Sequence, residues 1–152
     1  NGVNSLAEGL NTTASGNYSH SEGGFSTAIG NYSHSEGSGT TASGNYSNSK
    51  GIRTIASGIA SYAEGSATTA TGNYSHTEGQ GTIATGITSH AEGYFTRAWG
   101  QFSHAEGTGT TASGFAAQVE PRRATDHRQA PEPEPCDADV APVRRQAGSP
   151  PP

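Results

Sequence analysis

The chain is short of almost everything that builds an ordinary core. Its 152 residues include no methionine, one cysteine and one tryptophan. Leu, Ile, Val and Phe together number 16 of the 152, a proportion that in isolation suggests disorder. Disorder also needs a high net charge, and the formal charge is only −5. The lone Cys136 excludes a disulfide framework and a cysteine-based metal site. No apolar run approaches the ~18 residues of a helical membrane span. Positive charge is scarce through residue 116, where seven carboxylates face only Lys50, Arg53 and Arg97. That balance argues against nucleic acid as a partner.

What the chain does have is a fixed period. Eight turns of 14 residues follow one another without insertion, starting at Ser5, Ser19, Ser33, Ser47, Ser61, Ser75, Ser89 and Ser103. The first position is always Ser, the fifth always Gly (Gly9 through Gly107), the tenth always Ala and the twelfth always Gly (Gly16 through Gly114). The eighth is Thr except at Ser26. A short unbroken period is the signature of a solenoid, in which each turn packs only on its neighbours and no bulky core is needed.

The pattern within each turn is two alternating halves joined by two-residue bends such as Asn17-Tyr18. Alternate residues of a strand face opposite sides. The expected fold is therefore all-β: a parallel β-solenoid of eight turns with two short strands, five residues each, per turn. The face that never varies in size should be inside, so Ser, Ala and Gly of the first half and Thr, Ala and Gly of the second are assigned to the interior. Ala14, Ala28, Ala42, Ala56, Ala70, Ala84, Ala98 and Ala112 are its expected core, and its hydroxyls must pair with each other or with backbone.

The expected domain limits are 1–116 for the roll, with a partial turn at 1–4, and 117–152 for a different material. The latter holds all eight prolines and five of the eight Lys and Arg residues. It reads as disordered, extended where prolines cluster, and as either a linker or an artefact of processing. Asn1-Gly2-Val3-Asn4 is the end of a turn, so the sequence reads as a fragment that begins inside a repeat.

The stretch Ser26-Thr27-Ala28-Ile29-Gly30-Asn31-Tyr32-Ser33 resembles the Ser-Val-Ala-Ile-Gly-x-x-Ser repeat of YadA-like heads in trimeric autotransporter adhesins. Similar 14-residue repeats with Ser-His-Ala-Glu-Gly halves occur in other bacterial surface proteins and in phage appendage proteins. The resemblance covers residues 1–116. It implies a left-handed parallel β-roll, a homotrimer with chains side by side, and a non-enzymatic, cofactor-free role in attachment at the bacterial surface or on a virion appendage. Ser26, Ala28 and Gly30 fall on the motif's small fixed positions. Thr27 and Ile29 fall on its variable apolar pair, which in this chain is mostly Thr with Ser. A phage appendage spacer is the alternative role, and host glycan or matrix protein stays open as a ligand.

Several constellations invite chemistry. The Ser-His dipeptides (such as Ser33-His34 and Ser89-His90) suggest a nucleophile and its base, but neighbours on a strand face opposite ways, so no catalytic residue is assigned. The His column and the Glu column (Glu8 through Glu106, with Lys50 in the fourth turn) hold zinc and copper ligand types. They read more simply as an exposed polar ladder, and no metal or other cofactor is assigned. The outward Thr13/Ser15, Thr41/Ser43, Thr69/Thr71 and Thr111/Ser113 pairs resemble ice-binding arrays, a third functional class. The Asn-Tyr bends at 17–18, 31–32, 45–46 and 73–74 suggest a structural edge or a sugar strip. Asn-Tyr-Ser also fits the glycosylation sequon, read as a by-product of the bend. Turn seven breaks the monotony: Arg97 and Trp99 take outward positions that other turns give to Thr, Ile or Ser, with Tyr94 and Phe95 on one bend and Phe102 on the other. These five residues read either as a stronger seam between chains near the C-terminal end of the roll or as the candidate ligand-binding patch.

Overall fold

The computed structural model describes residues 2–120, which hold strands and turns and no helix. Each turn contributes a five-residue strand, the first being Leu6–Leu10, and a two-residue strand, the first being Thr13–Ala14. The eight long strands, with the two-residue Gln118–Val119 at one edge, form one nine-stranded sheet, and the short strands form one eight-stranded sheet. Every pairing is parallel and the register never slips: Leu6 pairs with His20, His20 with His34, and Ala14 with Ala28. The described residues thus form a parallel β-solenoid of eight turns.

The two halves of a turn are less alike than their sequences. The second half keeps only two strand residues because its exit bends early. Ile29 N and Gly30 N both donate to Ala42 O, at 2.8 and 3.3 Å, and sharing one acceptor turns the backbone out of the ladder. Gly30 then opens a tight bend in which Ser33 N and Ser33 Oγ both donate to Gly30 O, at 3.2 and 2.6 Å. The same hydroxyl-to-carbonyl bond recurs at Ser19, Ser47, Ser61, Ser75, Ser89 and Ser103. That bond explains why the first position is always Ser: its hydroxyl satisfies a carbonyl that the bend withholds from the ladder.

The first half corrects one assignment. Its fifth-position glycines are not interior. Gly51 sits at φ 119° and is partly exposed, in a region open to Gly at little cost. The alternation stops at the third position, where Ser21, Ser35, Ser49, Ala63, Thr77, Ala91 and Ala105 are buried.

The core lies between these columns and the second-half alanines. All eight tenth-position alanines are 0–1% exposed. Where the third residue is Ser, its hydroxyl pairs across the core with the eighth: Ser21 with Ser26, Ser35 with Thr40 and Ser49 with Thr54, at 2.7–2.9 Å. Where it is Ala, that partner is lost: Thr68 Oγ1 and Thr96 Oγ1 are buried without a hydrogen bond, while Thr110 Oγ1 donates instead to Glu106 O at 2.9 Å. Where it is Thr77, neither its hydroxyl nor that of Thr82 finds a partner. The ladder also runs past Ala116. Gln118–Val119 pairs with His104 and Ala105, and Ala117 and Val119 pack on the last core alanines. Ala117, Gln118 and Val119 repeat the small, outward, inward order of a first half, so the roll takes in residues that the sequence pattern gave to the tail. Residues 121–152, where the remainder of the expected disordered segment falls, lie outside the described residues.

Two stability outcomes follow. Ala70 is fully buried and its neighbour Thr69 is half-buried on the outer face. Ala70→Leu should destabilise the chain at or above the upper end of the ~1–3 kcal/mol typical of overpacking, and Thr69→Leu should cost little; chemical denaturation of both variants would reveal swapped faces if the order reversed. Ala63→Ser should give the orphaned Thr68 hydroxyl the partner that Thr54 has in Ser49. The expected gain is about 1 kcal/mol, read from the denaturation midpoint, and a loss of stability would refute the pairing.

Candidate functional site

Because the register is strict, like residues stack into columns on the outer face of the long sheet. The imidazoles of His20 and His34 lie 5.0 Å apart and nearly parallel. Those of His76, His90 and His104 continue at 4.6 and 4.9 Å. Between the two runs stand Asn48, whose amide meets His34 Nδ1 at 3.3 Å, and Tyr62, whose ring meets His76 edge-on at 5.0 Å. The Glu column runs alongside. His20 Nε2 reaches Glu8 at 3.6 Å and Glu22 at 3.7 Å, and His90 Nε2 reaches Glu92 at 3.5 Å. Lys50 interrupts the carboxylates and approaches Glu36 at 3.5 Å. These partly exposed pairs add little stability individually but relieve like-charge stacking.

The columns perturb two groups. Burial lowers the pKa of His90, and the neighbouring His76 and His104 lower it further against the opposing pull of Glu92 and Glu78. Tyr62 donates its hydroxyl to Glu64 Oε2 at 2.7 Å. That hydrogen bond, then partial burial and the carboxylates of Glu64, Glu36 and Glu78, push its pKa up to about 12.

The first-position serines are turned away from this face. Ser33 and Ser89 are buried and donate to Gly30 O and Gly86 O, while the adjacent His34 and His90 rings stack outside. The contact that a nucleophile needs with its base is therefore absent from these dipeptides. The Asn-Tyr bends form an edge ladder. Asn31 Oδ1 accepts from Asn17 N and Asn45 Oδ1 from Asn31 N, both at 3.0 Å. Tyr18, Tyr32 and Tyr46 stack at 5.0 and 5.1 Å. Each of these tyrosines holds a left-handed φ of 57–61°, a cost for a side chain with a Cβ that the stack and a 2.8 Å amide bond to the preceding turn offset. On the short sheet, the Thr and Ser pairs flank buried alanines, with Ile29, Ile55, Arg97 and Trp99 interrupting the array.

Turn seven gathers only part of its patch. Arg97 and Trp99 flank buried Ala98 on the outer face, Trp99 being 51% exposed. Tyr94 and Phe95 meet edge-on at 4.5 Å on the bend before them. Phe102 occupies the opposite bend and contacts Phe115 at 5.5 Å, a partner that the sequence reading left out although Phe115 falls in the next turn's bend. Equally unnoticed was the convergence of donor atoms from His90, Glu92 and His104; the 14-residue register, which lays His90 over His104, was the available signal.

A regular parallel solenoid with a small-residue interior defines a repeat protein whose chemical variety lies on its outward columns. Residues 1–19, 7–33, 21–47 and 49–75 match the family model of the YadA head domain repeat. The matched stretches, 1–47 and 49–75, are similar to that head repeat, and the remaining turns continue the same 14-residue register beyond them. No curated protein matches the sequence.

A pH effect follows from the Tyr62–Glu64 bond. An unfolded tyrosine ionises near pH ~10, whereas Tyr62 in the roll ionises at about 12. The raised value means that the bond's stabilisation is intact below the unfolded pKa and is lost as pH rises through the folded one. Phenolate absorbance should show one late-titrating tyrosine that Tyr62→Phe removes; an unchanged titration curve would contradict the assignment.

Proposed function

We propose that the roll is the head region of a trimeric, surface-exposed adhesin, a rigid rod that carries attachment sites on its outward columns. The observation that supports this most is the repeated match to the YadA head domain repeat, in a solenoid whose outward columns differ from turn to turn everywhere but at the fifth-position glycines. No helix among the described residues is long and apolar enough to cross a membrane. The proposal assigns adhesion to turn seven. Trp99, Arg97, Tyr94 and Phe95 present exposed aromatic surface beside a cation, the residue types that dominate binding hot spots, and Phe102 adds a second aromatic at the far bend. A host-surface glycan or an extended matrix-protein segment suits such a strip, since both present flat apolar faces edged with hydrogen-bonding groups.

The double variant Arg97→Thr with Trp99→Ser restores the residue types of the other turns and separates the possibilities. The full chain should be trimeric by light scattering and should bind on glycan or matrix-protein arrays. If the patch is the site, the variant stays trimeric and loses binding. Loss of the trimer would assign the patch to the seam between chains. A trimer that binds nothing on either array, with or without the substitutions, would overturn the adhesive role in favour of a spacer.

A further inference from the structure

The long sheet carries a feature that attachment by turn seven does not use. Donor atoms of His90, Glu92 and His104 lie within 4.8 Å of one another. The Nε2 atoms of both histidines are shielded from solvent and have no hydrogen-bond partner; the 3.5 Å approach of Glu92 to His90 lacks hydrogen-bond geometry. Shielded polar atoms without partners are costly and in native proteins call for an explanation. We propose that His90, Glu92 and His104 form a binding site for one divalent transition-metal ion, zinc by preference.

The donor chemistry selects the ion. Two imidazoles and one carboxylate are the protein ligands of one class of zinc site, in which water takes the fourth position. Calcium and magnesium require oxygen ligands in greater number. With the proton of each ring on Nδ1, both Nε2 lone pairs point to the same side of the stack. Tetrahedral zinc needs its donors roughly 3.3 Å apart. The three side chains are half-buried rather than locked, so tilting two rings and one carboxylate closes the gap while the ladder holds the backbone fixed.

The rest of the column explains why the site falls here. At the other end of the rod, His20 Nε2 and His34 Nε2 are likewise shielded and unpartnered, but His34 Nδ1 is engaged by Asn48, and the cluster of Glu8, His20 and Glu22 offers a single imidazole. In the middle, the Lys50 ammonium repels a cation. Adjacent histidines also stack at turns two and three and at turns six and seven, but among the described residues only His90, Glu92 and His104 bring donor atoms of two imidazoles and a carboxylate together.

The test uses the full chain, stripped of metal with a chelator and titrated with zinc against a chromophoric indicator, and separately with cobalt. His104→Asn and His90→Asn are the informative variants, because Asn48 already occupies this column in register with His34; circular dichroism would establish that each folds. Loss even of a group that only supports a ligand weakens metal binding ~10–100-fold. Each variant, and Glu92→Gln, should therefore bind zinc at least about tenfold more weakly than the parent chain, while His34→Asn binds as the parent does. Cobalt should give the parent chain the intense visible absorption of a tetrahedral site, a readout that needs no variant. Equal zinc binding by the parent and His104→Asn, or a cobalt spectrum no different from the free ion, would overturn the proposal.

Discussion

Successive turns approach so closely at the twelfth position that a Cβ on Gly58 would overlap the carbonyl oxygen of Gly72, and the same holds from Gly16 to Gly30 and from Gly86 to Gly100. The backbone there has ordinary φ, so the glycine is demanded by proximity rather than by conformation. This contact sets the rest of the structure. It holds neighbouring turns at ladder distance where the short strand gives way to the bend. It leaves the interior only wide enough for Ala, Ser and Thr, and it fixes the register that stacks like on like outside. At Gly51 the two demands coincide: a Cβ would overlap Gly65 O, and φ is 119°.

An interior so thin trades apolar burial for hydrogen bonding. The alanines contribute small areas each, and the hydroxyls are tolerated inside because Ser33 satisfies Gly30 O and Ser35 satisfies Thr40. The compensation is incomplete where Ala63 and Ala91 leave Thr68 and Thr96 unpartnered. Those layers gain apolar contact across the core and forgo a hydrogen bond, and the roll accommodates both kinds in adjacent turns because each layer answers only to its neighbours.

Columns of constant size were visible in the sequence, and with them the period, the parallel stacking and the burial of Ala56 or Ala70. Strand lengths were not, because they depend on where one carbonyl, such as Ala42 O, takes two donors. The fifth-position glycines were misplaced because alternation assumes extended backbone, and Gly51 leaves it. For the surface, the sequence showed that turn seven departs from the repeat but not that Phe102 turns toward Phe115 and away from Tyr94 and Phe95. It showed a His column beside a Glu column but not which donors converge, since that depends on side-chain rotation rather than on position in the repeat.

The strict register also has a bearing on how such a rod changes length. Removing 14 residues deletes one layer, and the layers on either side can close up with every inward residue still inward and every column still continuous. Removing seven would exchange the long sheet for the short one in everything downstream, and removing one would turn the interior out. Variation by whole layers is nearly neutral to the architecture, while the outward residues of each layer can drift independently. The molecule behaves as a ruler with interchangeable divisions: its reach is counted in copies, and its chemistry is written on whichever division happens to differ.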